Sequence, residues 1–125
     1  MSLRQLRASA VAACLLAAVA AASAADVTGK WSASFETQIG RQNYTYDFVV
    51  KETTLTGKIK SDLGASDVLE GKVVGDKITF VEMFKFQDMD IRITYTGTVT
   101  SADEIKFTRQ VADIATEELV AKRVK

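Results

Sequence analysis

The chain contains no histidine and no proline, and its single cysteine is Cys14, close to its start. These gaps remove whole classes of chemistry. Without histidine there is no Ser-His-Asp triad and no Cys/His zinc site, and without a thiol beyond Cys14 there is no cysteine nucleophile or disulfide in the rest of the chain. Charge of one sign is also missing: 16 basic side chains face 16 acidic ones. No concentrated basic face is available for nucleic acid, whose phosphates demand one. The lack of proline matters structurally, because proline is one of the usual devices for blunting the edge of a sheet. No catalytic motif, metal site or cofactor is expected, so the chain reads as a non-enzyme.

What is present begins with a leader. Arg4 and Arg7 precede an Ala-rich apolar run from Ala8 to Ala22, and Ala22-Ser23-Ala24-Ala25-Asp26 supplies the small residues of a signal-peptidase site. Cleavage after Ala24 or Ala25 fits equally well. The run, about 15 residues, is shorter than the roughly 20 that a membrane span requires. Val11-Ala12-Ala13-Cys14 has the look of a lipidation box, but Leu15, Leu16 and Val19 carry the apolar region past the cysteine. The expectation is a signal peptide over 1–25 and one exported domain over 26–125, periplasmic or secreted, with no membrane span once the signal is removed. Losing Arg4 and Arg7 leaves 14 basic against 16 acidic side chains.

From Trp31 onward a period of two dominates, the mark of strands buried on one face. Trp31, Ala33 and Phe35 alternate with polar neighbours, as do Tyr44, Tyr46, Phe48 and Val50, then Leu55, Gly57 and Ile59. Val68 to Val74 alternates weakly. Ile78, Phe80, Glu82, Phe84 and Phe86 share one side of a fifth run, Ile91 to Val99 forms a sixth, and Ile105, Phe107 and Arg109 mark a seventh. An eighth is expected at about Leu119 to Val124, after a loop at Ala112 to Glu117 and with room for a helical turn in Asp113 to Lys122. Turn signals separate the runs, the sharpest being Gly75-Asp76, which suits a type II′ hairpin. The predicted fold is all-β: a single antiparallel up-and-down meander of about eight strands, closing into a small barrel so that no edge is left unpaired. A two-layer sandwich is the alternative, though most of the connections are short for its crossovers.

Charged residues on apolar faces are the strongest functional signal. By parity Glu82 stands between Phe80 and Phe84, Arg109 follows Ile105 and Phe107, and Arg123 follows Leu119 and Ala121. Buried charge is costly unless paired, so Glu82 and an arginine are expected to meet inside and orient a polar ligand group. A barrel of this size is either just filled by side chains or holds one small ligand, and both outcomes are open. The candidate ligand-binding set is Trp31, Tyr46, Phe48, Phe80, Glu82, Phe84, Tyr95, Phe107 and Arg109.

Gly29-Lys30-Trp31 resembles the Gly-x-Trp opening of lipocalins and other calycin barrels. The resemblance implies that the tryptophan closes one barrel end beneath an arginine from the last strand, with Arg123 the matching residue and Arg109 the second choice. Asp26 to Trp31, Gly71-Lys72-Val73, Asp103 to Arg109 and Ala115 to Arg123 together resemble small exported bacterial domains of unassigned function, found alone or attached to secreted glycoside hydrolases and esterases. Three functions are therefore in view: a non-catalytic barrel for a small apolar or amphipathic ligand, an accessory module binding a glycan, and a structural or inhibitory partner of an exported enzyme.

Overall fold

The computed structural model describes residues 24–125, so the expected signal peptide lies outside the described residues apart from Ala24 and Ala25. Among the described residues there are strands and turns but no helix. The strands are β1 (Gly29–Thr37), β2 (Gly40–Lys51), β3 (Thr54–Ser61), β4 (Gly64–Asp67), β5 (Leu69–Val74), β6 (Lys77–Phe86), β7 (Met89–Ser101), β8 (Glu104–Val111) and β9 (Ala115–Arg123). The alternation seen in the sequence is the alternation of burial: in β8 Ile105, Phe107 and Arg109 are buried between exposed Lys106, Thr108 and Gln110. Gly75 has φ +58° while Asp76 stays out of the left-handed region, as a type II′ turn requires.

Each strand pairs antiparallel with its neighbour, and β1 closes the ring by pairing with both β2 and β9. Eight strands make the closed antiparallel barrel, a shape consistent with a calycin-like fold; β4 is an extra segment. It continues the line of β5 along β3, separated from it by buried Val68, and Glu70, the second residue of β5, stands at φ +52°. The expected fourth run is thus a bent strand in two pieces. The last strand starts earlier than expected, at Ala115 instead of about Leu119, because its ladder with β8 runs unbroken from Glu104↔Lys122 to Val111↔Ala115. No helical turn forms in 113–122, where strand pairing satisfies the backbone instead.

Two seams in the wall are incomplete, and both lie toward the same end. β1 and β9 pair only at Trp31↔Arg123 and Ser32↔Lys122. Beyond that point Glu117 fills in, its Oε2 accepting from the Gln38 amide at 3.3 Å. Between β4 and β6 no ladder forms; there Ser66 donates its hydroxyl to Glu82 Oε2 at 3.3 Å. The opposite end is sealed. Trp31 is fully buried, donates Nε1–H to the Val27 carbonyl at 2.9 Å, and lies 4.5 Å beneath the Arg123 guanidinium. Arg123 in turn donates to the carbonyls of Ala102, Thr28 and Asp26. Gly29 has φ +134°, a backbone conformation that residues with a Cβ rarely adopt, so the Gly-Lys-Trp opening favours glycine for its backbone.

Candidate functional site

The sealed half of the barrel is a plug of rings. Tyr46, Phe48, Phe80, Tyr95 and Phe107 pack edge-to-face or stacked, with Phe80 and Tyr95 centroids only 4.2 Å apart. Such contacts add to the burial term and hold each ring in one orientation. Above the plug lies a polar layer. Arg109 donates Nε–H to Tyr95 at 2.9 Å, Nη2–H to Tyr44 at 2.7 Å and to Glu82 at 3.5 Å, and Nη1–H to Glu117. Tyr95 donates to Glu82 at 3.0 Å and shares a hydrogen bond with Tyr46. Phe35 and Tyr44 present ring faces to the guanidinium at 5.3 and 4.9 Å. All three charged side chains are nearly inaccessible, Glu82 at 2%, Arg109 at 3% and Glu117 at 7%.

On the other side of that layer, at the end where the seams open, is a cavity of about 170 Å³. Its floor includes Arg109, Glu117, Tyr44 and Gln42; its walls are Phe84, Phe86, Ile91, Ile93 and Val111; its rim carries Ile39, Leu63 and Ile114. Gln42 Oε1 is buried and accepts no hydrogen bond. A smaller cavity of about 140 Å³ adjoins it through Leu63 and Phe84, touching Ser66 and Glu82 in the β4–β6 gap. Every turn at this end brings an apolar side chain close by: Ile39 between β1 and β2, Leu63 between β3 and β4, Met89 after the β6–β7 turn and Ile114 between β8 and β9. These four are 48%, 47%, 59% and 61% exposed.

The candidate set therefore divides. Phe84 and Arg109 line the main cavity, and Glu82 lies behind it in contact with Arg109. Trp31, Tyr46, Phe48, Phe80, Tyr95 and Phe107 do not line it; they are the packed support below. Glu82 and Arg109 do meet inside. The lining residues outside that set are Gln42, Glu117 and Tyr44 on the floor, Phe86, Ile91, Ile93 and Val111 in the walls, and Ile39, Leu63 and Ile114 around the opening. A signal existed for the first two. Gln42 shares the inward face two positions before Tyr44, and Glu117 shares it two positions before Leu119.

Burial drives the titration of this layer. The Tyr44 hydroxyl is pushed up to about 12, chiefly by burial and then by Glu82, with Arg109 opposing. Burial raises Tyr46 and Tyr95 well above the ordinary tyrosine range. Burial disfavours the charge on Arg109, but the electrostatics of Tyr95, Tyr44 and Glu82 outweigh it, and its pKa ends up raised. A raised tyrosine pKa means that the native state holds its proton more tightly. The resulting stability is complete below the ordinary value near 10.0 and is lost as the pH climbs through about 12. For Tyr44 alone this is about 2–3 kcal/mol. These are the only tyrosines in the chain, so tyrosinate absorbance should rise in one step coincident with alkaline unfolding. A tyrosine titrating normally while the fold persists would contradict this placement.

Comparison of the chain with protein-family models, curated proteins and solved structures finds no match.

Proposed function

We propose that this protein is an exported, non-catalytic barrel that takes one small apolar or amphipathic molecule into its open end. The carrying observation is the cavity itself, apolar over nearly all of its open lining, above a rigid layer of aromatic rings. An engineered cavity of about 150 Å³ binds benzene, so this one takes a chain or ring of about six to eight heavy atoms. A longer tail would emerge between Ile39, Leu63 and Ile114, whose exposure at the rim gives it an apolar exit. The same geometry favours a lumenal ligand over a glycan on the outer surface. No phenylalanine, tyrosine or tryptophan is among the exposed large apolar residues of the described chain, and sugar stacking needs an exposed ring.

The test is a two-dimensional amide NMR titration with n-hexanol. Saturable shifts confined to Phe84, Ile91, Val111 and Ile114 are expected, and Val111→Phe should abolish them while the protein still melts cooperatively. Absence of saturable shifts, or shifts scattered over the outer strands, would rule the proposal out.

A further inference from the structure

We infer that the cavity takes the apolar end of a single-tailed amphiphile and leaves its head group in water at the mouth. Such a site selects for chain length and is indifferent to the bulk of the head. The inference rests on the cavity reading above and concerns the class and orientation of the ligand.

The inner surface supplies the first ground. The polar side chains that border the cavity are already engaged with one another. Glu117 accepts from Arg109 through Oε1 and from the Gln38 amide through Oε2. Arg109 donates further to Tyr95, Tyr44 and Glu82, and Gln42 Oε1 is itself buried. What remains open to a ligand is almost wholly apolar, chiefly Phe84, Phe86, Ile91, Ile93 and Val111. A polar head pushed inward would give up its water and find no partner, which is costly. That penalty makes head-first entry rarer than tail-first entry by about tenfold or more.

The mouth supplies the second ground. At each of its four turns an exposed polar residue stands directly before an exposed apolar one: Gln38-Ile39, Asp62-Leu63, Asp88-Met89 and Asp113-Ile114. The three turns at the sealed end, Glu52-Thr53, Gly75-Asp76 and Ala102-Asp103, carry no large apolar side chain. A rim of this kind meets both halves of an amphiphile. Its apolar tips continue the cavity along the emerging chain, and their polar neighbours stand in water beside the head. With a volume of about 170 Å³, the cavity has room for one chain end of about six to eight heavy atoms.

The test uses n-alcohols from butanol to octanol, and n-octyl glucoside below its micelle concentration, read by calorimetry and amide NMR. Each added methylene should tighten binding by about fourfold until the chain reaches the rim. n-Octyl glucoside should bind as n-octanol does, with the same shifts at Phe84 and Val111 and further shifts at the mouth turns, because its sugar stays outside. A sugar head that abolishes binding while n-octanol still binds, or an affinity that does not grow with chain length, overturns the tail-first inference and leaves the cavity reading standing. Failure of the alcohols and the glucoside alike removes both.

Discussion

Arg109→Met will destabilise the protein by about 3–5 kcal/mol, the usual cost of removing one partner from a buried ion pair. The substitution leaves the volume of the site largely filled but takes away the only cation near Glu82 and Glu117 among the described residues and the donor to Tyr44 and Tyr95. Urea denaturation followed by fluorescence reads the loss cleanly, because Trp31 is the only tryptophan. Against a domain stability of about 5–15 kcal/mol, a loss of this size brings the variant near the edge of folding. The cause can be isolated by removing the stranded charges as well. Arg109→Met combined with Glu82→Gln and Glu117→Gln should recover most of the stability, since replacing a whole buried ionic set is often neutral. If Arg109→Met alone costs less than about 1 kcal/mol, in the range of an exposed pair, the charged layer is not desolvated as described.

Trp31→Ala will cost a similar amount, about 3–5 kcal/mol, for a different reason. The indole is fully buried, bonded to the Val27 carbonyl and roofed by Arg123. It also sits at one of the two residue pairs that join β1 to β9. Its loss opens a void and removes the surface on which the Arg123 guanidinium rests, a cation–π contact of about 0.5–2 kcal/mol. Thermal denaturation by circular dichroism measures the stability. Hydrogen exchange at Ser32 and Lys122 should show that the closure seam becomes the first part of the barrel to open. Trp31→Phe keeps most of the apolar area and should cost distinctly less. A Trp31→Ala protein with wild-type exchange at Ser32 and Lys122 would mean that closure does not depend on this end cap.

The contrast between these two residues shows what could be read from the chain. Both were visible without coordinates: Trp31 through the Gly-Lys-Trp opening, Arg109 and Glu82 as charges standing on apolar faces. Glu117 was not, because Ala112 to Glu117 has the composition of a loop, although the inward parity of Leu119, Ala121 and Arg123 extends back to it. The apolar lining at Ile39, Leu63 and Ile114 was also hidden. Isolated hydrophobic residues in turns carry no periodic signal, and only the meeting of several turns at one end makes a rim of them.

Strand character and the inward face are local properties. A side chain alternates with its neighbour whatever the rest of the chain does, so the sequence by itself determined the all-β fold, the meander and the rings that point inward. Which end of the barrel opens is a property of the closed ring. It depends on the stagger accumulated around all the strands, which ends the β1–β9 ladder after Ser32↔Lys122 and keeps β4 from pairing with β6. Only the tertiary structure decided that Glu82 and Glu117, far apart in the chain, would each bridge one of those seams and converge on a single arginine.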